Sequence, residues 1–275
     1  MKNDNDSILI IGESGVGKTH YGAKVLMSLQ QNLGQLSMDG TPVNVEPFAE
    51  TIDLLNEGLA AGHTPVSTYI ESIWPIIGLS GCSRELIWPD YGGEQILNIS
   101  TSRDIPNEWY NRVAKSSSWI FMIRPNQYRL PEDILSKPSG AETEDTNNIT
   151  DKAELSDQSR LIELLQILLY IHKSSASYAN ATPKVCFLIS CWDELETDDF
   201  PYKLLKDQLP MLSEFIHSHW SDPLIMGLSA LGQSLDMADE DNEYSSSGPE
   251  KFGYIVLPDG TKDSDITRPI QYLID

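Results

Sequence analysis

Positive charge is what this sequence has least of. Nineteen lysines and arginines stand against 41 aspartates and glutamates, a formal net charge of −22. A surface of that sign repels phosphate backbones and anionic headgroups, which excludes nucleic acid and membrane surfaces as expected partners. Any anionic ligand must therefore be held by local geometry, against the long-range field. Cysteine is scarce as well. Cys82, Cys186 and Cys191 are odd in number and lack metal-ligand spacing, which argues for a reducing compartment and against a disulfide framework. Long apolar runs are missing too: the longest, Leu161 to Ile171, contains Glu163 and Gln166 and is too short to span a bilayer. Met1 to Ser7 is polar and acidic and does not read as a signal peptide. The expectation is a soluble cytoplasmic protein with no membrane insertion.

Metal-binding side-chain clusters are equally sparse. His217 and His219 are two apart on a predicted helix and so face different ways. The acidic run Asp239 to Glu243 lacks the Gly-containing twelve-residue calcium pattern and reads as a solvated loop.

What is present is concentrated near the start. In Ile8 to Thr19, ILIIGESGVGKT, a short apolar run stops at Gly12 and is followed by two more glycines, a lysine and a threonine. This is the phosphate-binding P-loop pattern G-x-x-x-x-G-K-[ST]. Gly12, Gly15 and Gly17 let the backbone turn tightly, so that successive N–H groups can point inward at phosphate oxygens. The helix starting near Lys18 adds the positive end of its dipole. Lys18 can reach the β- and γ-phosphates, and the Thr19 hydroxyl can ligate Mg²⁺.

Along the rest of the chain, apolar strands alternate with helical periodicity. Helices are expected over His20–Leu33, Val45–Ala61, Ile96–Lys115 (with a break at Pro106), Leu155–Lys173 and Pro201–Trp220 (broken or bent at Pro210). Strands are expected at Tyr69–Leu79 (interrupted at Pro75), Arg84–Pro89, Ser117–Ile123, Lys184–Ser190 and Leu224–Leu228. Gln35–Val45 suggests a short hairpin, and a strand or hairpin with a last helix closes the chain. The whole reads as one α/β domain over 1–275, with an inserted helix at about 45–62, acidic loops at about 136–152 and 236–251, and a C-terminal extension. Alternation of this kind predicts a mostly parallel sheet with helices on both faces, and ligands at the carboxyl ends of its strands.

Further motifs fall at such strand ends. Asp90 to Gly93 is a D-x-x-G pattern: the aspartate would hold Mg²⁺ through water, and the Gly93 N–H would sense the γ-phosphate. Thr68 lies twenty-two residues earlier, placed for its hydroxyl to reach the same Mg²⁺ from a mobile loop, with Thr64 as the competing choice. Asp193, in Ser190-Cys191-Trp192-Asp193, could accept hydrogen bonds from guanine N1 and its 2-amino group, or could serve as the N-cap of a short turn. After the next strand comes Ser229-Ala230-Leu231, where a backbone N–H could read guanine O6.

In order and spacing, GESGVGKT, Thr68, DYGG, SCWD and SAL resemble the five guanine-nucleotide motifs of Ras-like GTPases of the translation-factor-related class. GLAAGHTPVST and the tail GYIVLPDGTKDSDITRPIQYLI are similar to the bacterial double-GTPases of conflict and anti-phage systems. The resemblance implies a three-layer P-loop NTPase fold of Ras-like type, with GTP or GDP and Mg²⁺ as ligands. Nucleotide contacts would come from Gly12, Glu13, Ser14, Gly15, Val16, Gly17, Lys18, Thr19 and His20, and from Gly93, Cys191, Asp193, Ser229, Ala230 and Leu231. Thr19, Thr68 and Asp90 would serve the metal. Glu94, at the place of the family's water-positioning glutamine, would act in hydrolysis together with Gln95 and Lys18.

Two departures matter. Ser190-Cys191 replaces the family's Asn-Lys, which removes the amide that braces the base loop and the lysine stem that lies over the base. No arginine sits in Gly62 to Thr68. An arginine finger contributes roughly 10³ to 10⁵ in rate, so slow intrinsic hydrolysis is expected, with a protein effector or second GTPase supplying the charge. The alternatives are an ATP-using or base-unselective P-loop NTPase, and an adaptor that holds nucleotide without turnover.

Overall fold

The computed structural model describes residues 7–62, 70–90, 99, 102–128, 156–175 and 181–275. Its first strand, Ser7–Gly12 (β1), is buried along its whole length. A strand covered on both faces needs apolar residues at every position, and SILIIG nearly supplies them. Leu9 and Ile11 enter one core while Ile8 and Ile10 enter the other. Ser118–Ile123 (β5), Lys184–Ser190 (β6) and Leu224–Ser229 (β7) follow the same rule.

With Ser37–Met38 (β2), Ile70–Ile77 (β3), Ser83–Asp90 (β4), Tyr254–Val256 (β8) and Lys262–Asp263 (β9), these strands make one nine-stranded sheet in the order β2-β3-β4-β1-β5-β6-β7-β8-β9. The five middle strands, β4 to β7 in that order, are parallel, and both edges are antiparallel. Lys18–Gln31 (α1), Glu46–Asn56 (α2) and the last helix, Arg268–Ile274, cover one face. Asn107–Lys115, Asp157–Ser174, Pro201–Gln208 and Pro210–His219 cover the other. The result is the expected three-layer α/β fold of a P-loop NTPase.

Several boundaries differ from the sequence expectation, each for a local reason. Helix α1 ends at Gln31 because Asn32 takes a left-handed conformation (φ 54°) and donates its N–H to the Ser28 carbonyl, so Gly34 is not the stop. Gln35–Val45 forms no hairpin of its own; β2 pairs with Ile76 and Ile77 at the sheet edge. Helix α2 ends at Asn56, well before Ala61, and Gly58 follows with φ +77°. Strand β3 runs unbroken through Pro75, which pairs with Glu85. Its carbonyl accepts from Asp39 on the outer side, so the N–H that proline lacks would have pointed to the edge, where the β2 ladder has ended.

The stretch 236–251 is not wholly a loop. Asp241 accepts from the N–H groups of Glu243 and Tyr244 and caps a short helix, Asn242–Ser247, whose Tyr244 is buried. The acidic segment 136–152 lies outside the described residues.

Candidate functional site

The parallel strands deliver their carboxyl ends to one rim, as the alternation predicts, and there the structure has a cavity of about 360 Å³. That volume is in the range of small-ligand sites. The loop that follows β1 contributes one end of it. The chain leaves β1 at Gly12, turns through Gly15 (φ +76°) and Gly17 (φ +82°), and enters α1. Gly17 caps that helix without a side-chain hydrogen bond, and no acidic residue occupies the first turn. An uncapped helix start facing a cavity is an anion site in the making. The Lys18 ammonium bends back over the loop and donates to the carbonyls of Gly12 (2.9 Å) and Glu13 (2.7 Å).

Ser14 through His20 line the cavity, whereas Gly12 and Glu13 shape it from behind. The Glu13 carboxylate is buried and turned away, and both its oxygens accept from Arg160 (2.8 and 3.0 Å). Arg160 in turn holds Asp157 (2.8 Å), which ties the P-loop to the start of the helix Asp157–Ser174. A buried carboxylate needs such a partner, because burying a charge without one is costly.

The opposite end of the cavity is built by β6 and β7. Past Ser190, Cys191 takes a left-handed conformation (φ 53°) and opens a 3₁₀ turn, Trp192–Leu195. Trp192 is buried and its ring lies 2.3 Å from where a Cβ on Gly227 would stand, so the loop after β6 is pinned to β7 by a contact that only glycine permits. Asp193 and Glu194 then project at the cavity. Burial pushes the Cys191 thiol up to about 12, against the pull of the nearby Arg124 cation, so it stays a neutral lining group.

Ser190 Oγ donates to the Ile123 carbonyl (3.2 Å) and locks the ends of β5 and β6 together. Ser229 is buried and accepts from the Gly232 N–H (2.9 Å), while Ala230 and Leu231 line the wall.

A strap crosses the remaining side. Ala60 donates its N–H to the Asp236 carbonyl (2.8 Å), and Asp241 donates to Gly58 (3.1 Å). Ala61 donates to Nε2 of His20 (3.1 Å). Burial lowers the His20 pKa, in keeping with a neutral ring that accepts at Nε2. The strap therefore joins the segment after α2 to the segment after β7, directly before residues 63–69.

The structure thus brings the P-loop, Cys191, Asp193, Ala230 and Leu231 to one cavity. Asp90 closes β4 opposite Ile70 of β3. Thr64, Thr68, Gly93, Glu94 and Gln95 lie outside the described residues. Sequence reasoning missed Arg124, just past β5. Its Nη1 donates to the Gly15 carbonyl (2.9 Å), and its Nε and Nη2 hold Glu194 (3.1 and 2.7 Å). Only its place at the end of a buried strand hinted at this. Of the strap residues, Ala60 to Gly62 entered only within the family-like stretch GLAAGHTPVST, and Gln233 to Met237 carried no motif at all.

No curated protein matches the chain. Among solved structures, the crystal structure of a bacterial selenocysteine-specific elongation factor, EF-Sec, is similar at 12% identity and a TM-score of 0.38. The match covers 82% of this chain and 25% of that one, so the chain spans about a quarter of that structure's length. The family model of Double-GTPase 1 matches residues 9–273, nearly the whole sequence and every strand of the sheet. The chain belongs to the Double-GTPase 1 family.

Proposed function

We propose that this protein is a Mg²⁺-dependent GTP-binding switch with slow intrinsic hydrolysis that acts with a protein effector or second GTPase. One observation carries the reading. Three separate strand ends, with the P-loop after β1, Asp193 after β6 and Ala230-Leu231 after β7, meet in a single nucleotide-sized cavity. The residues fit the ligand: an uncapped helix start and Lys18 suit a triphosphate, and an acceptor carboxylate suits the donor edge of guanine. Thr19 lines the same cavity, and its hydroxyl would give Mg²⁺ an oxygen ligand of the kind it takes, with the D-x-x-G aspartate, Asp90, as the second metal residue that the sequence pattern suggests. Bound Mg²⁺ would offset the phosphate charge that a chain of this sign otherwise repels.

Slow turnover follows from the charges. Among the described lining residues the lysine and arginine are Lys18 and Arg124, and Arg124 is already paired with Glu194. A partner would then bring the missing cation, and a role in bacterial defence is the setting that the family resemblance suggests. Base-unselective binding is the second reading, favoured because Ser190-Cys191 offers neither an amide to brace the base loop nor a lysine stem to lie over the base.

Calorimetry of GTP, GDP and ATP with Mg²⁺, on the wild type and Asp193→Asn, decides between them. The switch reading expects GTP to bind more tightly than ATP, and the variant to lose GTP affinity by about tenfold while ATP affinity stays put, as for one lost charged hydrogen bond. Equal binding of GTP and ATP by the wild type would hand the site to the second reading. No nucleotide binding at all would end both.

A further inference from the structure

Among the described residues that line the cavity is an arginine whose arrangement the motifs do not assign. Arg124 stands on the first residue after β5 and reaches two loops that belong to different strands. Three of its five N–H donors are committed: one to the Gly15 carbonyl of the P-loop, two to the two carboxylate oxygens of Glu194. Glu194 is itself held, since its carbonyl accepts from Asn126 (3.3 Å) on the same short 3₁₀ turn that follows Arg124. The guanidinium is therefore a plate fixed along its edges, with 29% of the side chain still accessible and the cavity beside it.

Its charge is largely offset by the forked carboxylate, with Asp193 one residue away, so it is poorly suited to be a phosphate ligand. What a guanidinium fixed through three of its five donors offers best is its flat face. Such a face takes planar aromatic rings by stacking and cation–π attraction.

We propose that Arg124 is the stacking platform for the purine base of the bound nucleotide, held flat by Gly15 and Glu194. This rests on the cavity being a nucleotide site. Stacking is tolerant of base identity, because every base has a π-face. Arg124 thus supplies affinity shared by guanine and adenine, and leaves their discrimination to Asp193. It also ties the P-loop to the base loop through one side chain, so the two ends of the nucleotide are gripped by a connected frame.

The experiment uses calorimetry of the full chain with Mg²⁺ and three probes: GTP, ATP and inorganic tripolyphosphate, which has no base. Arg124→Ala should weaken both nucleotides by a similar factor, about 10- to 100-fold, and leave tripolyphosphate unchanged. Arg124→Lys keeps the charge and the reach to Gly15 without the planar face, and guards against a folding defect in the alanine variant. It should lose nucleotide affinity in the same direction, again with tripolyphosphate unchanged. Parallel loss of tripolyphosphate in both variants would show that Arg124 serves the phosphates, and would overturn the proposal. Wild-type GTP affinity in both variants would overturn it as well. A wild type that binds tripolyphosphate but not GTP or ATP removes the nucleotide reading itself, and the stacking role with it.

Discussion

The proposed phosphate end and the proposed base end of the cavity are built by opposite means. At the phosphate end, a run of consecutive residues from Gly12 to Thr19 does the work, mostly through backbone geometry and an uncapped helix start. At the base end, side chains arrive from three strands: Arg124 after β5, Asp193 and Glu194 after β6, Leu231 after β7. One end is written in a single stretch of chain, and the other exists only once the sheet has formed. A backbone-built end should tolerate little change within its stretch, while a side-chain-built end should degrade in steps as single members are removed.

The largest effect is expected at Lys18. Its ammonium already rests over the loop on two carbonyls, so it is in place before any ligand arrives. Lys18→Ala should reduce triphosphate affinity by on the order of 100-fold, as for a lost set of charged hydrogen bonds. Because the base end is separate, the variant should retain a measurable, weak preference for GTP over ATP. Equal residual binding of the two would break the division into ends, and unchanged GTP affinity would remove Lys18 from the site.

Gly15 comes next. A Cβ there would stand 2.2 Å from Nε2 of Gln127, and φ is +76°. The amide tip can swing away, but the left-handed backbone remains costly for any other residue, by about 1–2 kcal/mol. Gly15→Ala should lower the thermal midpoint correspondingly and weaken GTP and tripolyphosphate together, the mirror image of the Arg124 variants. Adding Gln127→Ala should leave most of that loss in place. Full recovery would mean that the clash, and not the backbone, sets the requirement.

The same division explains what was legible in the sequence. The P-loop, the parallel sheet and the placement of Asp193 were all readable, because each depends on residues close in sequence: glycine spacing, buried apolar runs and strand-end position. Arg124 was not, because its meaning lies in Gly15 and Glu194, 109 and 70 residues away. The burial of the Glu13 carboxylate was hidden for the same reason, since Arg160 lies 147 residues downstream. Pro75 misled in the other direction. A proline inside a strand reads as an interruption, and only the sheet order reveals that its missing N–H faces an edge. Likewise Asp239 to Glu243 reads as a solvated acidic loop until Asp241 is seen capping a helix and meeting Gly58.

The strap that joins the two ends gives the smallest and most local test. Its Ala61 N–H donates to Nε2 of His20, on the first turn of α1. That bond exists only while Nε2 is unprotonated, and burial holds the His20 pKa below its ordinary value of 6.5. The unfolded chain therefore takes up the proton first as pH falls. Stability from this group is present in full above about pH 6.5, and is lost as pH falls from there through the lower folded value. Buried His172, also lowered by burial, adds a dependence of the same sign, so the wild type alone does not isolate His20. His20→Gln does, because its amide oxygen can accept from Ala61 without titrating. The fall in thermal midpoint between pH 7.5 and pH 5.5 should be smaller in that variant than in the wild type. The difference should be modest, because Ala60 on Asp236 and Asp241 on Gly58 still hold the strap. Identical pH profiles would mean that the strap does not depend on His20, and that its attachment to the P-loop helix lies wholly in packing.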